Sequence, residues 1–274
     1  MYFLGYLSLK EAEPGLFRIT EVTMFQNINI IYYRTLAELK AEASNSFAGY
    51  IWWVLQPLLA LAVYYTAFHW LIPNPDQNFV LFLFIGITVW QFWANTLLRS
   101  SSSMIVYRPL MLQLDIEKYV FPVSICCVNF IKFTVAFLLL LALTPVLGGI
   151  IGCSAIHLLE LLILLFLLTC GTGMILAAIA PFFPDLIMVI DFLLHLMMFL
   201  SGVFFDLTLL PKEIQKLLFW NPIAGLMTQF RKVLMDGSVP EWNTVSYIFL
   251  LSIFLLFVGG WLLKLFSRKY PRLT

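Results

Sequence analysis

The chain has 274 residues, of which 62% are hydrophobic and 11% charged, against about 45–50% and about 25% in an ordinary soluble domain. A soluble body could not hide that much apolar surface, so the composition demands a membrane. Lys and Arg number 16 against 15 Asp and Glu, a net charge of +1, which leaves no basic field to draw a nucleic acid.

Residues 1–23 form an N-terminal extension whose MYFLGYLSL run is too short for a signal-peptide core and stops at Lys10. Residues 24–43 place Phe25, Ile28, Tyr32, Leu36 and Leu39 at helical spacing with charges elsewhere. That predicts an amphipathic helix, lying along the membrane interface or packed on its own protein. Residues 44–270 read as one membrane domain. A crossing helix needs ~20 mostly apolar residues, and six stretches qualify: 50–72, 79–99, 120–147, 155–180, 185–205 and 245–264. Pro73-Asn74-Pro75-Asp76 closes the first, Pro145 with Gly148 and Gly149 the third, and Pro181 with Pro184 the fourth. The expected fold is an all-α integral membrane protein with six transmembrane helices.

Eleven of the 16 basic residues fall in segment 1–49, in the second connection and in the tail, whereas loops 73–78 and 148–154 carry none. The excess of Lys and Arg on cytoplasmic loops puts both termini inside. Lys212, Lys216, Arg231 and Lys232 in the fifth loop break that pattern. There, residues 211–236 read as two short helices split at Asn221-Pro222, too short and too charged to cross, and capping the outer face. Residues 104–119 read as a long cytoplasmic connection with apolar residues of its own.

Much familiar chemistry is missing. No Gly is followed by Lys anywhere, so the glycine-rich phosphate loop that cradles ATP is absent. The Cys and His residues make no metal-ligand spacing, and Ser100 to Ser103 lack a nucleophile elbow. Ionisable groups inside spans are expensive and mark functional sites by default. Lys132 lies in the third span, Glu160 in the fourth, and Asp191 with His195 on one face of the fifth. Lys132 and Asp191 are expected to form a structural ion pair; a proton relay through Lys132, Asp191 and His195 is the alternative.

Aromatic residues are also sided. Tyr50, Trp53, Tyr64 and Phe68 share one face of the first span, and Asp191, His195, Phe199 and Gly202 one stripe of the fifth, with Phe204 and Phe205 at its end. Such stripes serve either lipid contact and packing or a pore whose flat faces stack on sugar rings. Thr169, Gly173 and Ala177 form a row of small residues suited to close helix packing.

Taken in order, NSFAGYIWWVLQP at 45–57, VYRPLMLQLDIEKYVFPV at 106–123, PFFPD at 181–185, SGVFFDLTLLP at 201–211 and WNPIAGLMTQFRKVLMDG at 220–237 resemble the permease subunit of ABC-2 type exporters, in particular those of polysaccharides. The resemblance covers roughly residues 24–270; the extension before it departs from the commoner pattern. It implies a homodimeric channel in the bacterial inner membrane, driven by two copies of a cytoplasmic ABC ATPase. ATP and Mg would be used by that partner, with no cofactor or metal on this chain. The cargo would be a lipid-linked polysaccharide such as O antigen, capsule or teichoic acid; a drug or small lipid is the alternative within the family. On that plan 104–119 is a coupling helix, with Tyr107, Arg108, Pro109, Asp115 and Glu117 facing the ATPase. Residues 211–236 are external gate helices, with Trp220, Asn221, Pro222 and Arg231 as gate residues. Tyr50, Trp53, Tyr64, Phe68, Phe199, Phe204 and Phe205 line the channel.

Overall fold

A computed structural model of the protein describes residues 24–44, 49–71, 78–113, 116–150, 152–206, 211, 213, 220–267 and 269–270. The extension 1–23, Asp115, the Phe68 side chain and the first helix expected within 211–236 fall largely or wholly outside the described residues. Among the described residues there is no strand. In chain order the helices are α1 (Met24–Ser44), α2 (Trp52–Leu71), α3 (Phe79–Val106), α4 (Arg108–Gln113), α5 (Val120–Leu143), α6 (His157–Ile179), α7 (Leu186–Leu200), α8 (Pro222–Leu234) and α9 (Trp242–Leu265).

Among the described residues, five helical stretches are long and apolar enough to cross a membrane: Gly49–Ala67, Phe79–Val106, Val120–Leu143, Cys153–Phe182 and Trp242–Leu265. The stretch expected at 185–205 is not among them. Its helix, α7, has 15 residues, about 22 Å at 1.5 Å per residue, against a hydrocarbon core of about 30 Å. Gly202 adopts φ +71°, a left-handed conformation that glycine enters without a side-chain clash. The chain then turns back, and Ser201 to Phe204 are buried. Counting apolar residues misses this break because the turned-back segment is as greasy as a helix.

α3 is the spine. It is 28 residues long, about 42 Å, and touches α2, α5, α6, α7 and α8. Leu81, Leu83, Phe84, Ile85 and Ile87 on it have no exposed surface, as expected of a helix surrounded by others. Because α3 runs to Val106, the 104–119 connection begins inside it, and its separate helical part is the short α4. Pro109 sits at the second position of α4, where a missing N–H leaves no bond unmade. The predicted small-residue row packs against α3: a Cβ at Gly173 would lie 3.0 Å from Ser100 Oγ. On its other side α6 is held closely by α9.

α1 does not lie free on an interface. Asn27 Nδ2 donates to Tyr119 Oη at 3.0 Å, and Lys132 Nζ donates to Glu42 Oε2 at 2.8 Å. Residue 27 is therefore beside 119 and residue 42 beside 132, so α1 runs alongside the start of α5 in the same direction. Asn27, Thr35 and Leu39 are buried there, whereas Ile28, Tyr32 and Tyr33 are exposed. Of the predicted apolar stripe, Ile28 and Tyr32 look outward, Leu36 is half-buried and Leu39 faces the protein beside the polar Asn27 and Thr35. The bundle end that holds α1 and α4 is called proximal below, the end that holds α8 distal.

Candidate transport face and its anchors

α2 and α7 carry the aromatic candidates. Tyr50 and Trp53 form an edge-to-face pair with centroids 4.8 Å apart. Farther along α2, Tyr64 donates to Met198 Sδ at 3.7 Å, and its ring lies 4.9 Å from Phe204. Phe199 lies 5.2 Å from Phe204 as well. Tyr64, Phe199 and Phe204 thus form one cluster where α2 meets α7. Phe204 is buried and Phe205 half-buried. Trp53, Tyr50 and Phe199 keep accessible faces, and Tyr50 and Phe199 are more than half exposed. The candidates fall into two groups along α2, separated by more than two helical turns.

α7 has two distinct sides. Ile190, Leu194 and Met198, spaced one turn apart, face the bundle. Asp191 and His195 do not: their side chains are 50% and 75% exposed, with Nδ1 and Oδ1 3.5 Å apart. A paired carboxylate and imidazole on the open side of a helix in an apolar chain would be poorly solvated in lipid. This side needs water or another protein chain. Beside it a cavity of about 300 Å³ is lined by Leu98, Arg99, Ser102, Ile187, Met188 and Asp191.

The expected Lys132–Asp191 pair is not formed. Lys132 binds Glu42 of α1 instead, and Asp191 lies against His195. Depth along the spans had suggested the pair, but α1 brings a carboxylate to the same depth and nearer. Arg99 completes the proximal anchor. Its guanidinium bonds Glu38, reaches Glu42 Oε1 at 2.7 Å and donates to Asn129 Oδ1 at 3.2 Å. Asn129 Nδ2 in turn donates to Thr96 Oγ1 at 3.1 Å. Burial raises the Glu42 carboxyl pKa, but the Lys132 hydrogen bond and the Arg99 charge outweigh it and hold the carboxyl below its ordinary value. Glu38 and Glu42, one helical turn apart, are the residues that sequence reasoning missed. Their shared face with Asn27 and Arg34 was the available signal.

Of the expected coupling residues, Tyr107 belongs to this anchor. Its hydroxyl reaches Glu38 Oε2 at 3.4 Å, and its ring is covered by the Arg34 guanidinium at 3.6 Å. Phe121 stacks beside it with centroids 5.7 Å apart. Burial lowers the Arg34 pKa, against the pull of Tyr107 and Glu38. Arg108 is half-buried and Pro109 exposed. Glu117 is separate from this group and lines a second cavity with Lys118 and Lys264.

The distal anchor is built around one buried cation. Arg231 of α8 is 8% exposed. It donates to Gly202 O at 2.7 Å, Val203 O at 3.0 Å and Phe82 O at 3.3 Å, with Phe82's ring 3.4 Å from its guanidinium carbon. The turned-back segment has no helical partners for its carbonyls, and none can come from lipid; Arg231 supplies them. A Cβ at Gly86 would come within 2.7 Å of Arg231 Nη2, so only glycine leaves room for this contact. Burial pushes the Arg231 pKa down, partly offset by Asp206. Asn221 caps α8 by accepting from Ile223 N at 3.2 Å, and donates to Ser201 Oγ at 2.8 Å. Pro222 follows at the first position of α8, and Trp220 is exposed. Sequence reasoning placed α8 as a cap, yet most of its residues, including Gln229 and Phe230, are buried.

Among the described residues, no group of three or more His, Cys, Asp or Glu could hold a metal ion. The ABC-2 type transporter family matches residues 31–235. The chain is 25% identical to an O-antigen export system permease protein of Klebsiella pneumoniae, over 86% of this chain and 90% of the relative. An O-antigen export system permease protein of Myxococcus xanthus is also 25% identical, over 86% and 92%. A polysialic acid transport protein of Escherichia coli is 23% identical, over 82% and 88%.

Proposed function

Because the chain belongs to the ABC-2 type transporter family, we propose that it is the permease subunit of an exporter that carries a lipid-linked polysaccharide across the bacterial inner membrane. O antigen and capsular glycans are the cargo class, by similarity to the export proteins above. One observation carries the reading: the open side of α7 presents Asp191 and His195 where a membrane helix facing lipid would present neither. Opposed across two copies of the chain, these faces and the exposed aromatic rings of α2 enclose a path that is wet yet offers flat surfaces. Sugar C–H faces stack on such rings while hydroxyls stay with water. Weak stacking lets a polymer slide, since no single contact holds it.

On this reading the proximal end is cytoplasmic. Two copies of an ABC ATPase dock on α4 and its flanks, at Arg108, Pro109 and Asp115, and hydrolyse ATP with Mg outside this chain. The proximal anchor passes their movement to α3 and α5 through α1. At the other end α8, with Trp220, Asn221 and Pro222 at its start, closes the path outside, and Arg231 fixes its place. Deleting the chain should make lipid-linked glycan accumulate on the cytoplasmic side and strip polysaccharide from the surface. Normal surface polysaccharide in the deletion would refute the reading, as would a purified chain that never brings an ATPase with it.

A further inference from the structure

A cavity of about 320 Å³ opens at the proximal end, where α1, the segment before α5 and the last turns of α9 meet. The transport path does not use it. Its walls carry both signs of charge, Lys118 and Lys264 against Glu117. Asn27 forms one side and is 4% exposed. Its Nδ2 is spent on Tyr119, but its Oδ1 is buried with no hydrogen-bond partner. That oxygen has no accessible surface, so it closes the wall behind the cavity and leaves the recognition of an occupant to the charged groups. Lys118 is largely buried and donates to Ile116 O at 3.0 Å, which steadies its ammonium in the wall. Gly260 leaves the α9 wall bare, and the next residue, Trp261, is exposed, as tryptophans at a bilayer interface are.

We propose that this cavity binds the head group of a phospholipid that carries both a phosphodiester and a primary ammonium. Lys264, with Lys118 behind it, holds the phosphate. The ammonium donates to the Glu117 carboxylate. An anionic lipid without an amine would leave this carboxylate bare, and a trimethylated ammonium has no N–H to give it. The cavity therefore selects among head groups. A lipid-linked sugar diphosphate shares the phosphate but not the ammonium, so the exporter's own cargo is a distinguishable competitor.

The test uses the full-length chain in mild detergent, exposed to equal amounts of phosphatidylethanolamine, phosphatidylcholine and phosphatidylglycerol, with bound lipid weighed by native mass spectrometry. Phosphatidylethanolamine should be retained preferentially. Glu117→Gln and Lys264→Ala should each weaken retention ~10-fold, the size of one charge-assisted hydrogen bond. Gly260→Val should block the cavity with the thermal midpoint unchanged, because the nearest atom to a Cβ there is Met174 Cε at 3.6 Å. Equal retention of the three lipids, or variants that retain as the parent does, would overturn the proposal. Preference for phosphatidylglycerol, or displacement of bound phosphatidylethanolamine by an added lipid-linked diphosphate, would overturn it too, leaving a site for phosphate alone. The readout is bound lipid, so it stands or falls independently of what the chain exports.

Discussion

Arg231 at the distal end and Arg99 at the proximal end are both guanidinium groups that tie several helices together, yet their partners differ in kind. Arg231 is held by three backbone carbonyls and is buried. Arg99 is held by two carboxylates and an amide oxygen, with its side chain 35% exposed. Carbonyls belong to the backbone and cannot leave without unfolding it. The carboxylates sit on side chains of α1, and Glu42 is shared between Arg99 and Lys132. On the proposed function, the distal anchor would serve as a rivet and the proximal one as a clutch. A transporter needs both: a fixed frame around its path and a joint that gives.

Replacing the rivet should do most harm. Arg231→Leu leaves the buried carbonyls of Gly202 and Val203 without a donor and should remove about 3–5 kcal/mol of stability, read as a lower thermal midpoint in detergent. Arg231→Lys should rescue it only in part, because an ammonium lacks the planar fork. A wild-type midpoint for Arg231→Leu would mean that the carbonyls find other donors. Gly86→Ala drives a methyl into the same contact and should follow at about 1–3 kcal/mol. Asn221→Ala removes the α8 cap and the bond to Ser201, and about 1 kcal/mol is expected.

The clutch should respond differently. Glu42→Gln breaks partly exposed pairs, worth ~1 kcal/mol or less, yet it should uncouple transport more than it lowers the midpoint. A proportional loss of both would erase the distinction between the two ends. Acid tests the same joint. The Glu42 carboxyl lies below its ordinary value in the folded chain, so its contribution is complete above the usual pKa of about 4.3 and is lost as pH falls through the lowered one. The protection of α1 amides, relative to their intrinsic exchange rate at each pH, should be flat from neutral pH to ~5 and fall only in stronger acid. Lys232→Ala should be the mildest change, within ~0.5 kcal/mol, because its partner Glu241 is exposed.

The sequence showed some of this and hid the rest for definite reasons. Helical periodicity placed α1, α8 and the long apolar helices well, because period and turn residues are local signals. It missed the stop at Gly202, since nothing in an apolar run announces where a chain folds back. It paired Lys132 with Asp191 because depth was all it could compare, while the true partner came from a helix outside the spans. The Trp-Asn-Pro piece read as the break between two short helices, and α8 does begin at Pro222. Its bond to Ser201, and the reach of Arg231 to Gly202 and Val203, are long-range and needed the fold. Helical phase set the aromatic residues on faces, but it could not reveal that Phe204 is buried and packed between Tyr64 and Phe199.

The most direct measurement is the solvent at the open side of α7. His195→Cys and Phe199→Cys, each in a chain whose 4 native cysteines have been replaced, are treated with a membrane-impermeant maleimide. Phe254→Cys on the exposed side of α9 serves as the lipid control. Thiols react as thiolates and so require water. A path through this face predicts labelling at 195 and 199, silence at 254, and protection of the first two while glycan is in transit. Silence at all three, or labelling indifferent to transport, would contradict it.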